Sequence, residues 1–203
     1  MKRIVVILLG LLLSLPVAAQ TKGGLGLLFG PEGEIEVDSV TTGGQKFDGA
    51  KEDTKKNFGF HAWFEGQPSG NAVFGGRAAY TGANGDDSDN DYSFVDVGLW
   101  SRFTLGPGAT EISLVGSAGV TYGMVEGESE GADLEGSGIG WHVLAGPMIS
   151  LNAGTLPINL SVFYSYTSIG TVDVEVSSGG SKAEGEFEDV VFSRVTASVG
   201  VNF

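Results

Sequence analysis

The sequence excludes several classes of protein through what it lacks. None of its 203 residues is cysteine, which rules out a disulfide scaffold, a cysteine-ligated zinc or iron–sulfur site and a thiol nucleophile. Basic residues are scarce, with 11 Lys and Arg against 25 Asp and Glu, and the formal charge is −14. Nucleic-acid binding requires a basic surface, so we expect no nucleic-acid partner.

Residues 1–19 have the pattern of a secretory signal peptide. Two basic residues open the chain, an apolar run covers 4–15, and a small-residue cleavage pattern covers 17–19. The apolar run is shorter than the roughly twenty residues that a transmembrane helix needs. We therefore expect export, with residues 20–203 forming one domain.

After residue 19 the hydrophobic period is two rather than 3.6. The final segment, Arg194 to Phe203, alternates polar and apolar residues along its whole length. Because successive side chains of a strand point to opposite faces, this pattern predicts a strand with one apolar face. The same period appears in segments 24–30, 58–65, 72–81, 95–105, 111–124, 139–151 and 158–166. Eight such segments predict an all-β fold, an eight-stranded antiparallel up-and-down transmembrane β-barrel.

The connections alternate in length. Short ones cover 66–71, 106–109 and 152–157, and long ones cover 31–56, 83–91, 126–138 and 171–189. Barrels of this kind have short periplasmic turns and long outer loops. Alternation persists at 34–38 and 172–176, which predicts strands that continue beyond the membrane, with a hairpin tip near 177–181. Pro147 cannot donate a ladder hydrogen bond, so we expect a bulge or kink there.

With this arrangement the chain resembles the small eight-stranded outer-membrane β-barrels of the OmpA transmembrane-domain and OmpX type. The resemblance covers all of residues 20–203 and rests on strand count, loop alternation and the terminal pattern from Val195 to Phe203. A C-terminal aromatic such as Phe203 is similar to the signal that delivers this family to the barrel-assembly machinery. The resemblance implies a Gram-negative-type outer membrane, surrounding lipid and lipopolysaccharide, a monomer and no cofactor.

Charge is unevenly distributed along the chain. The four long loops hold 22 of the 25 acidic residues. The charges within the strands are Glu65, Arg77, Asp96, Arg102, Glu111 and Arg194. All six fall on the polar face, and an arginine facing lipid would cost about 2–4 kcal/mol, so we expect an interior charge network. Hairpin registers place Arg77 near Asp96 and Arg102 near Glu111.

The third predicted ion pair, Arg194 with Glu65, requires contact across the lumen. We interpret the network as a plug that holds the shape of the barrel, and the alternative is a gate or ion path. An eight-stranded barrel is just wide enough for side chains to fill. Inward glycines such as Gly26 and Gly200 predict gaps, so a small wet cavity is compatible with the sequence and a wide pore is not.

The two histidines are the candidates for catalysis. His61 and His142 both fall on the inward face, and Ser150, Ser161 or Ser165 could complete a Ser–His–carboxylate site. An enzyme that modifies lipid must meet an acyl chain, however, and neither histidine faces lipid. We therefore expect no enzymatic activity and no catalytic residues.

One loop carries an incomplete metal-binding pattern. Asp87, Asp89 and Asp91 are spaced like the first ligands of a calcium loop. The glycine expected next is Tyr92, and no glutamate stands at the twelfth position. A solvated acidic loop explains the same residues, so no metal site is assigned beyond this candidate.

These observations leave three functions open. The leading interpretation is a structural or surface-interaction protein whose acidic outer loops contact an extracellular ligand, a cationic partner or lipopolysaccharide through divalent cations. The alternative is a narrow channel for small solutes or ions. A lipid-modifying enzyme is third.

Overall fold

A computed structural model describes residues 22–86, 88–106, 110–129, 132–153 and 156–203. Ten strands lie in this part of the chain. They are β1 (Lys22–Glu36), β2 (Ser39–Thr42), β3 (Gln45–Asp48), β4 (Lys51–Glu65), β5 (Ala72–Gly85), β6 (Asp91–Gly106), β7 (Thr110–Ser129), β8 (Ala132–Ala153), β9 (Leu156–Ser178) and β10 (Ser181–Asn202). The predicted signal peptide lies outside the described residues.

Eight of these strands close into a ring. Each is antiparallel to its neighbours in the order β1-β4-β5-β6-β7-β8-β9-β10, and β10 pairs with β1 to close the barrel. Following the paired residues once around from Leu25 leads back to β1 at Glu36. This stagger means that the strands tilt as they circle the barrel. The predicted fold class is confirmed.

The barrel has two different ends. The turn end carries the short connections after β4, β6 and β8 together with Lys22 and Asn202. The hairpin end carries the long connections, which are largely strand rather than loop. β7 and β8 remain paired up to Ser129 and Ala132. The tip between β9 and β10 lies at Gly179 and Gly180, both with positive φ, inside the predicted range.

A short hairpin at this end was not predicted from the sequence. β2 and β3 pair with each other, and β2 also pairs with β10 from Gly185 to Glu188. Gly43 and Gly44 form the turn with positive φ at both positions. A Gly-Gly pair between alternating segments is a hairpin signal, so residues 39–48 could have been recognised.

Successive side chains alternate between the outside and the inside of the barrel, as the sequence predicts. Large apolar side chains such as Leu99 (76% exposed) and Phe74 (65% exposed) cover the outside of the ring, whereas Trp100 and Phe163 are 1% exposed inside it. An exposed apolar belt of this extent faces lipid rather than water. Among the described residues, no helix is long and apolar enough to cross a membrane.

Two local expectations were wrong. No bulge lies at Pro147, which pairs in unshifted register with Leu114, although the pairing of β8 with β9 is interrupted at Gly146 and Pro147. The register shift of β8 against β9 lies at Ser137–Gly140. The second wrong expectation was that the inward glycines leave gaps in the lumen. Side chains of neighbouring residues fill the space beside them. A Cβ on Gly26 would clash with the ring of His61, and one on Gly200 would lie 2.9 Å from Trp63. Large side chains thus occupy the space that these glycines open.

Candidate functional site

The charged residues near the turn end form one compact network around Arg102. Its guanidinium donates two hydrogen bonds to Glu65, from Nε to Oε1 at 2.9 Å and from Nη2 to Oε2 at 2.7 Å. Nη1 contacts Glu111, and the Trp100 indole donates to Glu65 Oε1 at 3.1 Å. Paired, bidentate geometry of this kind is what makes a buried carboxylate tolerable.

This network confirms one predicted contact and corrects another. Arg102 meets Glu111, as the hairpin register indicated. Glu65 also meets Arg102 rather than Arg194. Glu65 is opposite Gly75 in β5, which is opposite Trp100 in β6, so Glu65 reaches β6 past a residue that has no side chain. The guanidinium of Arg194 lies deeper in the lumen, where Nη2 is 3.9 Å from Asp96 Oδ2.

A second polar layer, the middle layer, consists of His61, Arg77, Asp96, His142 and Arg194. Asp96 accepts a hydrogen bond from Thr121 at 2.5 Å, and its Oδ1 is 3.7 Å from His142 Nδ1. Arg77 donates to His61 Nδ1 at 3.4 Å. The predicted pairing of Arg77 with Asp96 is thus electrostatic and not a direct salt bridge.

Apolar side chains close the lumen on both sides of the middle layer. Toward the turn end, Trp63 stacks on His61 with ring centroids 4.8 Å apart, and Phe163 meets the same ring edge-on. Toward the hairpin end, the Phe192 ring lies 4.7 Å from the Arg194 guanidinium and stacks on Phe94. Close-packed rings at these positions narrow the lumen on both sides of the middle layer.

The histidine neighbours do not form a catalytic triad. His61 Nε2 is 2.9 Å from Ser198 Oγ, but its Nδ1 faces Arg77, where a triad needs a carboxylate. Of the predicted serines, Ser165 accepts a hydrogen bond from Arg194 and Ser150 donates to an asparagine. Ser161 is buried and carries no part of this arrangement.

The calcium-loop candidate stays a prediction, because the structure does not describe all three of its aspartates. Asp87 lies outside the described residues. Asp91 accepts a hydrogen bond from Asn84 in the neighbouring strand. Within the described ranges, no group of three or more Asp, Glu, His or Cys side chains is arranged to hold a metal ion.

A row of glutamates crosses the outer face of four neighbouring strands at the hairpin end. Glu126 in β7 is directly opposite Glu135 in β8, which is opposite Glu175 in β9, which is opposite Glu184 in β10. We call these four residues the acidic row. They alternate with inward residues such as Val174, so they point away from the lumen. Like charges directly opposite each other in a sheet are unfavourable.

The acidic row borders a concave pocket of about 630 Å³. Thr41 to Gly44 of the β2–β3 hairpin form one wall, and Tyr122 and Met124 line the side that continues toward the apolar belt. Asp173 and Glu186 add two further carboxylates. The pocket therefore places strong negative charge next to the level at which lipid begins.

Lysines neutralise only part of this charge. Lys182 Nζ lies 2.5 Å from Glu175 Oε1, and its hydrogen bond lowers the pKa of the Glu175 carboxyl. Lys46 in β3 binds Glu188 of β10 at 2.6 Å and, with Ser39, lowers the pKa of that carboxyl. The second pair fastens the β2–β3 hairpin to the barrel.

One polar contact joins the lumen to the hairpin end. The Tyr92 hydroxyl donates a hydrogen bond to Glu52 Oε2 at 2.6 Å. Burial, followed by the hydrogen bond to Glu52, raises the pKa of Tyr92. Tyr92 also packs against the buried apolar cluster that contains Phe94 and Phe192. Because its pKa is raised, the hydroxyl stays protonated at the hairpin-end edge of the lumen.

Comparisons with known proteins show the fold. No protein-family model matches the chain, and no curated protein matches it. Among solved structures, it is similar to Ail, the attachment invasion locus protein of Yersinia pestis, with 17% identity and a TM-score of 0.51 over 90% of this chain and 98% of that one.

Two other solved structures are similar over nearly their whole length. The outer membrane protein OprG of Pseudomonas aeruginosa has 14% identity and a TM-score of 0.50, covering 90% of this chain and 97% of that one. Neisserial surface protein A has 15% identity and a TM-score of 0.49 over the same shares. Ail and OprG are small eight-stranded outer-membrane β-barrels, and this chain has their fold.

Proposed function

We propose that the protein is an outer-membrane barrel with a closed lumen that acts through the acidic row on its outer surface. The signal-like residues 1–19 and the terminal Phe203 support export, cleavage and delivery to the barrel-assembly machinery. We expect a monomer oriented with the hairpin end outside the cell and the turn end in the periplasm.

The acidic row is the observation that carries this proposal. Four carboxylates stand in adjacent strands at one level, and Lys182 binds only one of them. Such an arrangement is unfavourable on its own, so its presence is best explained by a positively charged ligand. Because the four glutamates lie on paired strands, the spacing between them is fixed.

The position of the row favours lipopolysaccharide as the partner, through divalent cations. Tyr122 and Met124 line the same pocket as the glutamates, and aromatic side chains favour the membrane interface. The phosphates of lipopolysaccharide are negative, so calcium or magnesium must bridge them to carboxylates. A cationic peptide or protein is the other ligand that fits this charge.

The closed lumen argues against the alternative of a narrow channel. Trp100, Phe163 and Phe192 are each 1% exposed, and a solute would have to displace packed rings on both sides of the middle layer. Both histidines are also buried, which argues against a lipid-modifying enzyme.

The test compares two charge-matched variants. One replaces the acidic row (E126Q, E135Q, E175Q, E184Q), and the control replaces four exposed acidic residues of β1, β3 and β4 (E32Q, E36Q, D48N, D53N). Purified protein in phosphatidylcholine nanodiscs is mixed with lipid A vesicles, once in the presence of calcium and once in the presence of a chelator. We expect calcium-dependent binding that the row variant weakens at least about tenfold and the control leaves nearly unchanged.

Two outcomes would oppose the proposal. Equal losses in both variants would mean that net charge, and not the row, attracts the vesicles. Binding that persists in the chelator would exclude a metal bridge. A lysine-rich peptide that binds the wild type but not the row variant would instead identify a cationic partner.

A further inference from the structure

The middle layer contains more buried positive charge than its carboxylate balances. Arg77 and Arg194 are each 5% exposed, and Asp96 is 3% exposed. Asp96 lies 3.9 Å from Arg194 and acts on Arg77 only at longer range. Two guanidinium groups therefore share one carboxylate, in a part of the barrel that crosses the membrane.

The two histidines do not supply the missing negative charge. Arg77 Nε donates to His61 Nδ1, so that nitrogen is an acceptor without a proton. His61 is then neutral, with its Nε2 proton directed to Ser198 Oγ at 2.9 Å. His142 is neutral or positive in any state, so the layer has an excess of one positive charge or more.

The turn-end network does not reach this layer. It has the opposite imbalance, with Glu65 and Glu111 on a single Arg102. The rings of Trp63 and Trp100 lie between the two layers, with centroids 6.0 Å apart. The surplus carboxylate is thus held by Arg102 and separated from the middle layer by aromatic side chains.

Each guanidinium in the middle layer also has a nitrogen without an acceptor. Arg77 Nη1 and Arg194 Nη1 are buried and have no hydrogen-bond partner among the described residues. The other nitrogens of Arg194 are satisfied by Ser165 and Thr81 at 3.1 Å each. Buried donors of charged groups are costly when left unpaired, and water would satisfy the donors without balancing the charge.

We propose that the middle layer binds one small monovalent inorganic anion, of the class of chloride, between Arg77 and Arg194. The anion accepts hydrogen bonds from the two Nη1 atoms and brings the layer close to neutrality. Asp96 is opposite Ala79, between Arg77 and Thr81 of the same strand, and Thr81 accepts a hydrogen bond from Arg194. The two guanidinium groups therefore approach Asp96 from opposite sides.

The surrounding rings determine when the ion enters. Trp63 and Phe163 close one side, and Phe94 and Phe192 close the other. An ion in this position is captured when the barrel folds and is released when it unfolds. The bound ion should therefore survive prolonged dialysis of the folded protein.

The experiment uses bromide as the probe. Wild type, Arg77→Gln and the surface control Lys51→Gln are refolded in sodium bromide, dialysed into sodium gluconate, unfolded by heat and analysed for bromide by ion chromatography. We expect stoichiometric bromide from the wild type and from Lys51→Gln, and none above background from Arg77→Gln. The proposal would be overturned if the folded wild type released no bromide. Equal release by Arg77→Gln would also overturn it, because the bromide would then be an adventitious ion only.

A second variant keeps the test decisive if Arg77→Gln does not fold. Asp96→Asn removes the negative charge of the layer while keeping an oxygen to accept the Thr121 hydrogen bond. The anion should then be retained at least as well as in the wild type. Loss of bromide from folded Asp96→Asn would contradict the proposed charge balance.

Discussion

Inside the barrel, Glu65 and Glu111 both contact Arg102, whereas on the outer face of β7 to β10 four glutamates stand opposite one another and Lys182 binds only one. The difference follows from solvent. A carboxylate in the lumen must be paired because burial removes its hydration. A carboxylate in water can remain unpaired, and several in a row can then hold a cation. Paired charges maintain the structure, and unpaired charges are available for binding.

The largest expected effect comes from removing the cation of the turn-end network. Arg102→Met leaves Glu65 buried without its two hydrogen bonds, and a broken buried ion pair typically costs about 3–5 kcal/mol. Urea unfolding of the refolded barrel, followed by tryptophan fluorescence, measures the change. The exposed pair of Lys51 with Glu34 gives the control, because solvent screens this pair and Lys51→Gln should leave the stability nearly unchanged. Similar losses in both variants would remove the distinction between lumen and surface.

A smaller effect is expected at the boundary of the two regions. Tyr92→Phe removes the hydroxyl that donates to Glu52 and keeps the ring in the apolar cluster. Leaving a partly buried carboxylate with one partner fewer should destabilise the protein by about 1–3 kcal/mol. Phe187 packs on the same cluster, and Phe187→Leu is the control because it removes no polar group. Unchanged unfolding in Tyr92→Phe would show that Glu52 is solvated.

Within the acidic row, removing a charge should stabilise the protein. Glu135→Gln relieves repulsion from Glu126 and Glu175, its neighbours on both sides. We expect a gain of about 0.2–1 kcal/mol at low salt that disappears at high salt. Asp48→Asn, at an exposed position in β3, is the control and should show no gain. A loss of stability in Glu135→Gln would mean that the row is already neutralised.

The smallest effect concerns the titration of one carboxyl group. The hydrogen bond from Lys182 lowers the pKa of Glu175, so its stabilising contribution is present at neutral pH and is lost as the pH falls through that lowered pKa. Lys182→Gln should shift the Glu175 titration upward in a carbon-detected NMR experiment, and Lys46→Gln should leave it unchanged. An unshifted titration in Lys182→Gln would exclude the contact.

The sequence predicted the elements of the barrel well because lipid imposes a strict alternation. All six strand charges were predicted to face inward, since an arginine in lipid is unfavourable, and the buried positions of Arg77 and Arg194 agree. Contacts between neighbouring strands, such as Arg102 with Glu111, also follow from the register of one hairpin.

Contacts that depend on more than one hairpin could not be predicted in the same way. The partner of Glu65 depends on the registers of two consecutive hairpins, because Glu65 reaches Arg102 past Gly75 of the strand between them. The acidic row likewise needs the registers of three consecutive hairpins, including the shift at Ser137–Gly140. The sequence showed only that residues 126–138 and 171–189 are acidic, and not that their glutamates align.

The closed lumen is the central claim, because it moves the function from the interior to the acidic row. Single-channel recording of the refolded protein in a planar bilayer, with insertion confirmed independently, tests it most directly. We expect a silent bilayer for the wild type. Steady openings that change when Arg102 is neutralised would contradict this account and make the lumen a conducting path.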